Sequence, residues 1–155
     1  MPENEASDAV QVVRFRVGES EVAIDVMAVS EVLVPQEVRS VPGQPDFMDG
    51  LVLLRGEYHP AMDLRRRFGS PSAEPAIKFV VVTCRGRSLV LLVDGVGEVS
   101  WLPKTSLKEA PVHSSLGAGQ SLSGLADVGD AMVIILDADR LLSEEESTQL
   151  IKACS

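Results

Sequence analysis

The sequence predicts a mainly β protein: two small barrel lobes in one compact unit, with short helices at the margins and a helix near the C-terminal end. Three observations carry the prediction. Apolar residues recur in many short runs, several with a period of two, and Gly and Pro punctuate those runs. The chain also lacks long amphipathic helices between the runs, which excludes a parallel βαβ plan and leaves barrels or a sandwich.

Taken in order, residues 1–9 are a polar, acidic lead expected to be disordered. Val13, Phe15 and Val17 alternate with Arg14 and Arg16, and Val22, Ile24 and Val26 alternate with Ala23 and Asp25. Gly18-Glu19-Ser20 turns the first run into the second, so the two form a hairpin. Val29 to Val34 is a third strand, ended by Pro35, whose missing N–H cannot extend a ladder. Residues 35–49 hold too many breakers for a regular element, although Pro45 to Asp49 allows one helical turn. Leu51 to Leu54 and Glu57 to Met62 flank Arg55-Gly56, and Asp63 caps a short helix from Leu64 to Phe68 that Gly69 stops. Residues 69–75 read as a linker, and the lobes are expected to divide near residue 72, with the first strand possibly shared. Beyond it, Ile77 to Cys84 and Ser88 to Val93 are almost continuously apolar around the turn Arg85-Gly86-Arg87, the pattern of strands buried on both faces. Val96 to Leu102 follows, interrupted by Pro103, then a Ser- and Gly-rich stretch over 111–121. Leu122 to Val128 and Ala131 to Leu136 form a closing hairpin over Gly129-Asp130. A C-terminal helix has two candidate starts, Asp137 and Ser143, the second with Glu146 in a capping box; residues 146–155 are helix or tail.

Composition narrows the function. A chain of 155 residues buries enough surface to fold without a disulfide or metal staple, and its core must be Val, Leu, Ile and Ala because only 4% is aromatic. A formal net charge of −9 argues against nucleic acid, which is bound through basic faces. No apolar run is long enough to span a membrane, the N-terminus lacks the pattern of a signal peptide, and Cys84 and Cys154 are expected to be reduced thiols.

The search for chemistry returns little. There is no phosphate-binding loop, and Gly95 and Gly97 make a lone G-x-G better explained by turns. His59 and His113 have no partners at metal-ligand spacing, and no G-x-S-x-G elbow exists. The strand Val133 to Leu136 ends in Asp137 and Asp139, a pattern shared with some magnesium-dependent phosphoryl-transfer enzymes. Helix capping by either aspartate is the plainer account. No catalytic residues, metal or cofactor are expected. What remains is surface, including the loops Val41 to Met48 and Leu102 to Pro111, whose apolar residues either face partners or cover a barrel end.

One segment is specific. Gly50-Leu51-Val52-Leu53-Leu54-Arg55-Gly56-Glu57-Tyr58-His59-Pro60-Ala61-Met62-Asp63-Leu64-Arg65 resembles the signature of CheW-like domains. That signature runs Gly, two or three residues, Asn-Leu-Arg-Gly, three residues, Pro, two residues, Asp-Leu-Arg. The opening hairpin, Val29-Ser30-Glu31-Val32, Leu92-Val93-Asp94-Gly95-Val96 and the closing hairpin resemble family segments in the same order, so the likeness spans about residues 10–145. Leu53 stands where the family usually has Asn, and His59 and Met62 replace common β-branched residues.

The resemblance implies two SH3-like five-stranded barrels and a cytoplasmic, non-enzymatic adaptor recruited to membrane-associated receptor arrays. Such an adaptor couples chemoreceptor helical tips to the regulatory domain of the histidine kinase CheA. The chain is too short for the phosphotransfer and ATP-binding domains of a whole kinase, so it resembles the free-standing coupling protein. By position, Val29, Glu31 and Gly50 match sites that face the kinase, and Arg55, Val80 and Val96 match sites of receptor contact. For Arg55 the alternative is an internal salt bridge pinning its turn; for Val29, Val80 and Val96 it is ordinary barrel core. A divergent member that binds one partner only, or serves another motility or developmental pathway, is the second functional reading.

Overall fold

Side-chain alternation places the first hairpin as expected. In β1 (Ala9–Val17) Val13, Phe15 and Val17 are buried while Arg16 is exposed, and β2 (Ser20–Asp25) pairs antiparallel to it with Phe15 opposite Val22. The structure is a computed structural model and describes residues 9–43, 48–67, 76–108, 122–129 and 131–142. A 3-10 turn, Val26–Ala28, leads into β3 (Val29–Leu33). The hairpin of β4 (Gly50–Leu54) and β5 (Glu57–Asp63) turns on Arg55 and Gly56, with φ of 50° and 83°. Positive φ at both central residues matches the loop to the twist of its strands. Arg85 and Gly86, at 52° and 80°, do the same between β6 (Lys78–Cys84) and β7 (Arg87–Val93). The short helix α1 (Leu64–Arg67) follows β5, with Asp63 Oδ1 accepting the Arg65 N–H at 2.9 Å as its cap. The rest is β8 (Gly95–Pro103), a 3-10 turn at 104–106, β9 (Leu107–Lys108), β10 (Leu122–Val128) and β11 (Ala131–Leu136).

These strands form two sheets. The order in one is β8-β1-β2-β11-β10-β9 and in the other β3-β6-β7-β5-β4. Two expectations are corrected. Among the described residues the sheets have six and five strands rather than five each, because the two-residue β9 adds to the edge at β10. They also do not divide near residue 72: β1 and β2 pair with strands of the second half, and β6 and β7 sit among β3, β4 and β5. A Pro- and Gly-rich stretch marks where regular structure stops, which is different from where one core gives way to another. The C-terminal helix is not supported at its first candidate start. Asp137 caps only the 3-10 turn Ala138–Arg140, and residues 143–155, with the capping box, lie outside the described residues. The acidic lead through residue 8, Phe47, Phe68 to Pro75 and the stretch over 111–121 also lie outside them.

Three apolar clusters explain the near-continuous hydrophobicity of β6 and β7. Val12, Ala23, Leu102, Ala126 and Val133 pack within the six-stranded sheet, and Val52, Ala61, Phe79, Val81 and Val90 within the five-stranded one. The largest cluster joins them, with Phe15, Val22 and Ile24 of one sheet against Val80, Val82 and Leu91 of the other. Strands β6 and β7 therefore bury both faces, as read from the sequence. Each fully buried aliphatic side chain contributes about 1.5–3 kcal/mol, so this shared layer is the main force holding the sheets together.

Candidate interaction surfaces

The edge strands of the five-stranded sheet carry the first surface. Glu31 on β3 and Arg55 at the β4–β5 turn meet through Arg55 Nη2 and Glu31 Oε2 at 2.5 Å. The guanidinium hydrogen bond holds the Glu31 carboxyl below the usual carboxylate range and raises Arg55 in return. The pair links the two outermost strands of the sheet across the gap their ladders leave. Exposed apolar residues lie along the same strands: Val32 and Val34 by β3, and the cross-strand partners Leu53 and Tyr58 on β4 and β5. Arg39 Nη1 donates to the Tyr58 hydroxyl at 3.2 Å. Leu53 is 46% exposed.

At the other end of β5 from the Arg55-Gly56 turn lies a buried ionic node of which the sequence disclosed only the Asp63 cap. Arg65 is only 3% exposed. Its Nε and Nη2 donate to Asp63 Oδ1 and Oδ2 at 3.0 and 2.8 Å, and its Nη1 donates to Asp94 Oδ1 at 3.0 Å. Asp94 Oδ2 accepts the Gly18 N–H at 2.6 Å, and Asp49 accepts the Asp63 N–H and pairs with Arg66. Hydrogen bonds donated to Asp63, ahead of the charges of Asp63 and Asp94, raise the Arg65 pKa. One guanidinium thus ties the β1–β2 turn, the β5–α1 junction and the β7–β8 corner. Asp63, Arg65 and Asp94 belong to the segments that carried the resemblance, and their geometry here is that of scaffold.

A second surface is a groove of about 580 Å³ at the junction of the sheets. Val10, Val12 and Ile135 of the six-stranded sheet, Thr83 of the other and Met27 of the connecting 3-10 turn line it, with Asp25, Asp137 and Asp139 among its lining. Met27 is 88% exposed, an unusual position for so apolar a side chain. Asp137 accepts the Asp139 N–H and so caps its turn, the plainer of the two accounts of this pair.

The predicted site residues fall in different places. Glu31 and Arg55, assigned to different partners, are bonded to each other. Val29 is half-buried on β3 opposite Val82, and Val80, fully buried, lies opposite Val32 and inside the shared core. Gly50 is buried at the start of β4, at φ 149°. Val96 is half-buried on β8 in the other sheet, opposite Phe15. None of Arg55, Val80 and Val96 lines the groove. Of the loops singled out for apolar content, Met48 and Leu102 are core. Among the described residues no three His, Cys, Asp or Glu converge to hold a metal ion, and no helix is long and apolar enough to cross a membrane.

Two sheets share one core, with an ion-paired edge on one of them and an apolar groove at their junction. Comparison with known proteins gives the family. The family model for the CheW-like domain matches residues 11–146, so the chain belongs to the CheW-like family. It is 34% identical over 134 residues to the chemotaxis protein CheW of Klebsiella aerogenes, covering 85% of this chain and 81% of that one. It is 29% identical over 147 residues to chemotaxis protein CheW of Treponema pallidum, covering 90% and 86%. Among solved structures, the scaffolding protein TtCheW from Thermoanaerobacter tengcongensis matches with a TM-score of 0.80 at 26% identity, covering 89% of this chain and 95% of that one.

Proposed function

We propose that this chain is a cytoplasmic, non-catalytic adaptor that couples chemoreceptor helical tips to a CheA-type histidine kinase, in arrays at the membrane. The observation that carries the proposal is the pairing of two separate docking features on one rigid core. One is the edge of the five-stranded sheet around Val29, Glu31 and Gly50; the other is the groove between the sheets. The edge receives the regulatory domain of the kinase, with Val32, Leu53 and Tyr58 supplying apolar contact. The groove receives a receptor helix, a recognised way for an apolar helical face to dock. Arg55 contributes to receptor contact from the rim of the five-stranded sheet, outside the groove, while Val80 and Val96 act through the shape of the core behind the two surfaces.

Pull-down with a receptor cytoplasmic fragment and a CheA-type kinase should recover a ternary complex. Retention of neither partner would sink the proposal. Exposed Leu53 in place of the family's Asn favours a second reading, a module that holds the receptor alone. In that case wild-type protein retains receptor but no kinase, and substitution of Glu31 changes neither.

A further inference from the structure

The groove at the sheet junction is apolar in its walls and acidic in its remaining lining, and the acids are placed in a particular way. Asp25 Oδ1 accepts the Met27 N–H at 2.8 Å, Asp137 Oδ1 the Asp139 N–H at 3.0 Å, and Asp139 Oδ1 the Arg85 N–H at 2.7 Å. Each carboxylate is therefore anchored by one oxygen to backbone, and the second oxygen has no partner among the described residues. Elsewhere the chain pairs its cations freely: Arg14 with Glu21, Arg55 with Glu31, Arg65 with Asp63 and Asp94, Lys108 with Asp127. Arg85, the cation beside Asp139, instead sends its Nε toward the Leu142 carbonyl at 3.3 Å. Among the described residues the groove keeps three acids without a counter-ion, in a chain whose net charge is already −9.

We propose that the helix this groove accepts carries Lys or Arg beside its apolar stripe, and that these cations meet Asp25, Asp137 and Asp139. The inference rests on the reading that the groove receives a receptor helix, and it adds the chemistry by which the groove chooses one. The physical reason is desolvation. A helix seated on Val10, Val12, Met27 and Ile135 excludes water from the neighbouring carboxylates, and an unpaired charge so covered is costly. An apolar or acidic flank leaves each free oxygen stranded, whereas an ammonium or guanidinium satisfies it and gains from the lowered dielectric. The acids thus reject wrong helices as much as they attract the right one. Met27, flexible and exposed, adapts to the apolar stripe without setting its charge.

The test uses the full chain and a synthetic amphipathic helix of about 20 residues. One face is Leu and Ala, and two flanking positions one turn apart are Lys, Gln or Glu. Fluorescence anisotropy should rank them Lys over Gln over Glu, with Lys tighter than Gln by about tenfold in about 0.05 M salt and the gap shrinking at about 0.5 M. Combined Asp25→Asn, Asp137→Asn and Asp139→Asn substitution keeps every backbone-anchoring oxygen and should abolish the ranking. Met27→Ser, at an exposed position, should weaken all three peptides. Equal binding of the Lys and Gln peptides to wild type overturns this inference and leaves the groove reading standing. Absence of binding by any peptide, or binding that Met27→Ser does not weaken, overturns both.

Discussion

At Gly50, a Cβ added to the backbone would strike the carbonyl oxygen of Arg39 and lie 3.0 Å from Val38 Cγ1. The approach is set by the bridge between Arg39 and Leu51, which exchange two backbone hydrogen bonds of 2.8 Å. Positive φ and lack of space act together, so Gly50→Ala should cost about 2 kcal/mol or more, read as a lower urea midpoint. An unchanged midpoint would show that the loop gives way freely. Loss of kinase binding in that variant would then report a displaced edge as readily as a lost contact. Glu31 behaves differently, because its role is electrostatic. Its folded pKa lies below the unfolded one, so its stabilising contribution is complete above the unfolded value and disappears as pH falls through the folded value. Titration of the Glu31 side chain by NMR should show this depression in wild type and its return toward the ordinary range in Arg55→Gln. The same midpoint in both proteins would separate the two residues. Burial raises the Cys84 thiol above its usual range, so this cysteine is expected to resist alkylation in the folded chain.

Strands and turns are where the sequence was most legible, for reasons visible in particular residues. Arg55-Gly56 and Arg85-Gly86 announce hairpins because a Gly at the second central position accepts positive φ at little cost. The apolar runs of β6 and β7 announce burial on two faces because each face has its own cluster to fill. Strand β9 was missed because two residues, Leu107 and Lys108, carry no period to detect. The ionic node was half seen. Asp63 is recognisable as a cap, but nothing local says that Arg65 turns inward to meet Asp94, 29 positions away. The groove acids were read apart, Asp25 as a strand residue and Asp137 and Asp139 as caps or a phosphoryl-transfer pattern, because the walls that make them a surface come from β1, β6 and β11. Removing the guanidinium with Arg65→Met would leave Asp63 and Asp94 facing one another unpaired, and should cost about 3–5 kcal/mol in denaturant unfolding. Arg65→Lys should recover only part of that, since an ammonium cannot reproduce the planar fork. Full recovery by Lys would reduce the node to simple charge balance.

For the molecule as a whole, the interleaving of the sheets governs behaviour. Each sheet takes strands from both sides of residue 72, and the shared core takes Phe15 and Ile24 from one side and Val80 and Leu91 from the other. Residues 1–72 and 73–155 produced as separate fragments should therefore show no cooperative thermal transition alone by circular dichroism, and should regain one on mixing. A cooperative transition in either fragment alone would restore the two-lobe division first read from the linker. The parallel ladder between β2 and β11 sets Val22 against Ile134. On the ribosome, β2 emerges about 110 residues before that neighbour, which at about 5–20 residues per second is a wait on the order of 5–20 s. Throughout that interval the β2 margin of the nascent hairpin stands without its partner, so the ladder that joins the two halves of the six-stranded sheet forms only after nearly the whole chain has been made.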